Sequence, residues 1–226
     1  MNTMQFVTTG DGSSTLYHPK IGEHYHSTHG ALQEAQHVFL HTGLLFYLEK
    51  EAAKQVSILE VGFGTGLNFL LTADYAKTHK INLSYTGIEA FPLADEIIFN
   101  TGYENFVSEE VWNSYKNLYR QALVEEVPLT TATSLTIAHQ TVLAFRSDQL
   151  FDVIYFDAFA AVHQPEMWNE ETLAHVCAFL RPGGVFVTYA ITGHLKRTMK
   201  SLGFTIEKAP GAPGKREMLR AIKNLG

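Results

Sequence analysis

Between Ile58 and Leu70 the chain runs from an aliphatic segment through Glu60 and Val61 into Gly62, Gly64 and Gly66, and then into the apolar helical pattern of Leu67, Phe69 and Leu70. Glycines at three alternate positions allow backbone turns that other residues resist. They also leave main-chain N–H groups bare at the start of a helix, where a nucleotide-like ligand can approach. The spacing is G-x-G-x-G with Glu60 two residues ahead of the first glycine, not the G-x-G-x-x-G of dinucleotide folds. A strand over 57–61, a turn and a helix from about 66 to 78 are expected. Such a unit belongs in an open α/β sheet that binds its ligand at the carboxyl ends of the strands.

The rest of the chain repeats that alternation. Further strands are expected at 81–88, 135–138, 151–156 and 185–190, with a closing pair at 204–208 and 217–222. The run Phe151 to Phe156 is apolar almost throughout, as befits a strand buried on both faces. Helices are expected over 30–50 (with Gly43 splitting it), 93–99, 108–123 (ended by Pro128), from Pro165 to a stop at Arg181-Pro182-Gly183-Gly184, and over 195–202. Residues 1–30 read as irregular. The expected fold is α/β and Rossmann-like: a mostly parallel central sheet of about seven strands, helices on both faces and an antiparallel C-terminal strand. At 226 residues and 46% apolar content the whole of 1–226 is expected to be one domain, with 1–50 contributing to the pocket.

Glu89 follows the second strand, 23 residues past Gly66, where a carboxylate can accept both hydroxyls of a ribose cis-diol. His139, Asp157 and Tyr189 fall at the ends of later strands and are expected to converge with the glycine turn. Asp157 stands where it could reach both a donor and an acceptor amine. The run His24 to His29 invites a metal reading. Its spacing matches no zinc template and no cysteine lies near, so a polar loop over a pocket is the expectation and no metal site is assigned. The lone Cys177 excludes an internal disulfide and fits a reducing cytosol.

Net charge is −6, which argues against a generic nucleic-acid binder. The distribution is uneven: residues from Arg181 onward carry +7 and those before it −13. A phosphate-contacting face at the C-terminal end and ordinary solvated element ends are both open readings. No apolar run reaches the roughly 20 residues that span a bilayer, and the polar start from Met1 to Ser14 shows no secretory signal.

Five stretches resemble the methyltransferase domain of the bacterial tRNA-modifying MnmC enzymes and their single-domain MnmD relatives. They are Tyr25 to Glu34 with His37 to Leu40; Glu60 to Leu70; Glu89 to Leu93; Asp157 to Ala160 through Pro165 to Trp168; and Lys215 to Leu219. The resemblance implies a class I fold and S-adenosylmethionine (SAM) as cofactor. It implies N-methylation of the 5-aminomethyl group on the wobble 2-thiouridine of tRNA. The partner would be the tRNA anticodon region, with no DNA and no membrane, in the cytoplasm. The flavin-dependent oxidase half of two-domain relatives has no room in this length. Cofactor contacts are expected from Glu60, Gly62, Phe63, Gly64, Gly66, Asn68, Glu89, His139 and Asp157, with Asp157 also catalytic. Where the family tends to place Gly-Asp after the third strand this chain has Ala138-His139, so His139 is expected to meet the adenine instead. Tyr25, His29, Glu34, Phe159, Lys215 and Arg216 are expected on the substrate side, with Lys215 and Arg216 as the RNA anchor. A methyltransferase for small-molecule or protein amines, a non-catalytic nucleoside-binding module and, more distantly, a nicotinamide dehydrogenase are the alternatives.

Overall fold

The computed structural model describes residues 4–225. Its centre is an eight-stranded sheet in the order β10-β11-β9-β8-β4-β5-β7-β6. The strands are β4 (Gln55–Val61), β5 (Asn82–Glu89), β6 (Val127–Pro128), β7 (Thr133–His139), β8 (Phe151–Phe156), β9 (Leu180–Thr188), β10 (Phe204–Pro210) and β11 (Glu217–Lys223). β4, β5, β7, β8 and β9 pair in parallel. β11 is antiparallel to both β9 and β10, and the two-residue β6 is antiparallel to β7. The expected architecture holds, with the short β6 bringing the count to eight.

Strand alternation sends side chains to two layers. Ile58, Tyr85, Val153, Tyr155 and Val187 pack beneath α3 (Leu67–His79), α5 (Glu109–Ala122) and the helical stretch 31–51. Leu59, Ile88, Ile154, Phe156 and Phe186 pack against α6 (Glu170–Ala178) and α7 (Gly193–Ser201). All six residues of β8 are buried, so this strand is fixed from both sides. Each such apolar side chain contributes about 1.5–3 kcal/mol by leaving water. The floor of the sheet is pinned by buried Asp152, which accepts from Ser57 N (2.7 Å), Ser57 Oγ (2.8 Å) and Tyr47 OH.

Several local expectations are corrected. Residues 1–30 are not simply irregular: β1 (Gln5–Thr8), β2 (Ser14–His18) and β3 (Glu23–His24) form a small antiparallel sheet. Its turn is tied by Asp11, which accepts from Ser13 N and Oγ and Thr9 Oγ1. Gly43 does not split the next helix. α1 (Ala31–Glu34), a π-helical stretch (Ala35–Leu45) and α2 (Phe46–Glu51) run on continuously. Gly43 is small because it meets Val187 and Tyr155 of the sheet: an added Cβ would stand 2.9 and 3.0 Å from them. The helix expected over 93–99 shrinks to α4 (Asp95–Ile98). Pro128 sits in β6 rather than closing α5, and Arg181 to Gly184 enter β9 as an irregularity where the pairing jumps from Phe151↔Leu180 to Val153↔Val185.

Candidate active site

At the carboxyl end of β4 the glycine turn takes a form that side chains resist. Gly62, Gly64 and Gly66 have φ of +86°, +52° and +79°. The turn is held down by Gly62 N and Phe63 N, which donate to Ile88 O at 3.1 and 3.2 Å. Each glycine also faces something close. A Cβ on Gly62 would run into the Asp157 carbonyl, one on Gly64 would come within 3.0 Å of the Tyr25 ring, and one on Gly66 would strike Tyr115 OH. The Phe63 ring in turn lies where a side chain on Gly87 of β5 would have been.

Above this turn opens a cavity of about 660 Å³, within the usual size of cofactor and substrate sites. Nine of the expected residues line it: Gly62, Phe63, Gly64, Glu89, Tyr25, Glu34, Asp157, Phe159 and Lys215. Glu89 ends β5, and its two carboxylate oxygens accept from Gly64 N and Phe91 N, both at 2.9 Å. Tyr25 and Phe159 meet edge to face at 5.1 Å, with the His18 ring 6.0 Å from Phe159. Lys215 donates to Glu34 at 2.8 Å and lies 4.0 Å above the Tyr189 ring, while Glu34 also accepts from Ser27 N at 3.0 Å.

Asp157 adjoins the glycine turn at Gly62 and lies within electrostatic reach of Glu34, Glu23 and Lys215. Burial pushes its carboxyl up to about 8, with the nearby Glu34 adding to the effect and Asn68 and Lys215 opposing it. Asn68 Nδ2 donates to Asp157 Oδ2 at 2.8 Å and to Glu60 Oε1 at 2.9 Å. Tyr85 OH donates to the other Glu60 oxygen at 2.8 Å. Burial holds Glu60 well above the ordinary carboxylate range.

Six expected residues do not line the cavity. Glu60 is fully enclosed, because strand alternation turns it toward α3 rather than along the turn. Asn68, on the first turn of α3, is buried and held behind Asp157 by its hydrogen bonds to Asp157 and Glu60. Gly66 faces Tyr115. His139 is exposed at the end of β7, and the following Gln140 and Thr141 reach the cavity in its place. His29 packs against the loop at Gly214, and Arg216 points outward. The residues that sequence reasoning passed over are His18 and Glu23, whose Oε2 accepts from Ala160 N at 2.9 Å. Both belong to the N-terminal sheet, and neither apolar periodicity nor a motif marks them.

The model of a family described as S-adenosyl-L-methionine-dependent methyltransferases matches residues 106–224. The chain belongs to this family. The glycine cradle and the Glu89 carboxylate fit its cofactor, and the acids facing the cavity fit a sulfonium. Among curated relatives, the methyltransferase is 32% identical, over 95% of its length, to the tRNA 5-methylaminomethyl-2-thiouridine biosynthesis bifunctional protein MnmC of Magnetococcus marinus. It is 31% identical, over 92% of its length, to the protein of the same name from Paracidovorax citrulli. It spans 34% of each of these relatives. Among solved structures, MnmC2 of Aquifex aeolicus superposes with a TM-score of 0.76 at 22% identity, covering 98% of this chain and 70% of that one. The sugar N-methyltransferase KedS8 of a Streptoalloteichus species gives 0.52 at 12% identity, with 85% and 87% covered. Both structural likenesses establish the α/β fold. No helix among the described residues is long and apolar enough to cross a membrane.

Proposed function

We propose that this methyltransferase N-methylates the 5-aminomethyl group of the wobble 2-thiouridine in the tRNA anticodon, giving 5-methylaminomethyl-2-thiouridine, and does so in the cytoplasm. The observation that carries the reading is the position of Asp157, between the glycine turn and an acceptor wall that also presents Glu34 and Glu23. An acid-rich cavity favours a basic amine, and the name of the curated relatives specifies one. In this reading Gly62, Phe63 and Gly64 cradle the cofactor and Glu89 grips its ribose. Tyr25 and Phe159 receive the flipped base on their aromatic faces.

Bound SAM supplies a methyl group on a cationic sulfur. The acceptor must offer a free nitrogen lone pair, so the amine has to be neutral. Ionised Asp157 accepts an N–H hydrogen bond and thereby points the lone pair at the donor side. With SAM held by the glycine turn and Glu89, its methyl would be available to the amine nitrogen, the electron pair of the S–C bond being left on sulfur. The proton left on nitrogen passes to Asp157. Alignment of this kind supplies much of the rate in a displacement reaction. Asn68 fixes the direction of the Asp157 carboxylate from behind, and Lys215 biases it toward the ionised form.

The test is nucleoside mass spectrometry of tRNA that carries the aminomethyl intermediate, after incubation with the protein and SAM. A gain of one methyl on that nucleoside is expected. Methylation of small amines with none on tRNA, or SAM binding with no turnover at all, would overturn the reading.

A further inference from the structure

Of the nine cations from Arg181 onward, five are already engaged within the protein. Arg181 pairs with Asp152, Lys208 with Glu217, Lys215 with Glu34 and Arg220 with Glu207. Lys223 Nζ donates to the carbonyls of Cys177 and Leu180. Lys215, expected from the sequence to anchor RNA, is therefore committed to the cavity wall. Three of the remaining four fall within five residues of α7: Lys196, Arg197 and Lys200. Among the described residues none of these three is ion-paired.

Helical spacing explains their direction. Leu195, Thr198 and Met199 are buried beneath α7, which turns Arg197 and Lys200 to solvent and leaves Lys196 half-buried at the edge. Cations three and four residues apart are neighbours on a helix surface, about 5–6 Å apart at Cβ. No acid lies in the first turn, and the helix N-terminus adds positive potential of its own. Tyr189 lines the cavity and Thr192 caps α7 three residues later, accepting from Leu195 N. The first turn of α7 thus stands at the same edge of the sheet as the cavity, as does the loop bearing the fourth cation, Arg216, which has no ion pair among the described residues.

We infer that the outer face of α7, through Lys196, Arg197 and Lys200, is a docking surface for RNA backbone phosphates flanking the nucleotide that enters the cavity. The inference rests on the tRNA reading above. The charge distribution favours it: a body at −13 repels a polyanion, so the chain must be held where the segment at +7 leaves cations uncommitted.

The experiment compares the wild type, the triple variant Lys196→Gln/Arg197→Gln/Lys200→Gln, and a control, Lys54→Gln/Lys80→Gln, whose cations precede β4 and β5 at the opposite edge. Binding to tRNA is measured over a range of KCl concentrations. The triple variant is expected to bind at least tenfold more weakly. The slope of log K against log[KCl] should become shallower by about one per lost contact. Its KM for tRNA should rise, while SAM affinity and methylation of the isolated nucleoside stay at wild-type values. A triple variant that binds tRNA like the wild type or like the control overturns the surface alone. A wild type that neither binds nor methylates tRNA removes the functional reading and the surface with it. Preferential binding of the wild type to anionic phospholipid vesicles, lost in the triple variant, would replace RNA by a membrane and overturn the inference.

Discussion

Asn68 Nδ2 lies 2.8 Å from Asp157 Oδ2, so a residue outside the cavity aims the carboxylate inside it. Removing that donor frees the carboxylate to rotate and deprives its ionised form of a stabilising hydrogen bond. Asn68→Ala is expected to lower kcat about tenfold to a hundredfold, the scale of a misplaced catalytic group. SAM affinity should be unaffected. The acidic limb of the pH–rate profile should move to higher pH, because Asn68 holds the Asp157 pKa down. Rate profiles of the two proteins between pH 6 and 10 check this.

Asp157→Asn bears on both rate and stability. Loss of a general base is expected to cost about 10²–10⁴ in kcat. The stability effect has the opposite sign. The Asp157 pKa is raised to about 8 in the folded protein, so between its unfolded value and 8 the native state retains a proton that the unfolded chain releases. Folding stability therefore falls as pH rises through that window. The asparagine variant escapes this loss, so thermal melts should show its advantage over wild type growing from pH 4 to pH 8.

Glu60 offers a sharper contrast. Its carboxyl is held well above the ordinary range by burial, which favours the neutral form. Glutamine is uncharged and of the same shape, keeps one acceptor for Asn68, and lets the Tyr85 hydroxyl turn to accept from its amide, so Glu60→Gln should fold, keep activity and gain relative stability with rising pH. Glu60→Ala leaves Tyr85 OH and one Asn68 hydrogen without acceptors. That should cost about 1–3 kcal/mol per orphaned group, read from denaturant unfolding. A glutamine variant as damaged as the alanine one would show that Glu60 acts as an anion.

His26 gives the N-terminal sheet an acid limit. Burial lowers its pKa to about 4, against an ordinary 6.5. Below 6.5 the unfolded chain takes up a proton that the native state refuses, so stability present above that value is lost as pH falls toward 4. A His26→Gln variant has no such group to titrate. Its melting temperature should fall less than that of the wild type between pH 7 and pH 4.5.

The glycine turn and Glu89 could be placed at the cavity from the sequence because they lie close together in the chain and are chemically constrained, and Asp157 because it ends a strongly apolar strand. Glycines at 62 and 64, Glu89 and Asp157 occupy strand ends that few other residues could fill, and all four line the cavity. Glu60 was misplaced because a motif gives spacing but not the direction of a strand side chain. Nor does a motif show which way a helix side chain such as that of Asn68 turns. The N-terminal sheet escaped notice because its strands are four, five and two residues long, with turns made by Asp11 and glycine rather than by an alternating apolar pattern. The continuity of residues 31–51 was hidden by Gly43, whose small size serves contact with the sheet rather than a break. For the basic segment, composition gave the total charge, but only side-chain partners distinguish Lys215 in the cavity from the bare face of α7.

The close approach of Tyr25 to Gly64 bears on the order in which the site is built. The donor half is almost local, lying between residues 62 and 91. The proposed acceptor wall joins Tyr25 and Glu34 to Phe159 and Lys215, segments separated by most of the chain, so closing it carries the greater loop entropy. Partial unfolding from either end would therefore dismantle the proposed acceptor wall while the glycine turn and Glu89 still stand. On the proposed reading, selectivity for the acceptor is thereby tied to completion of the fold.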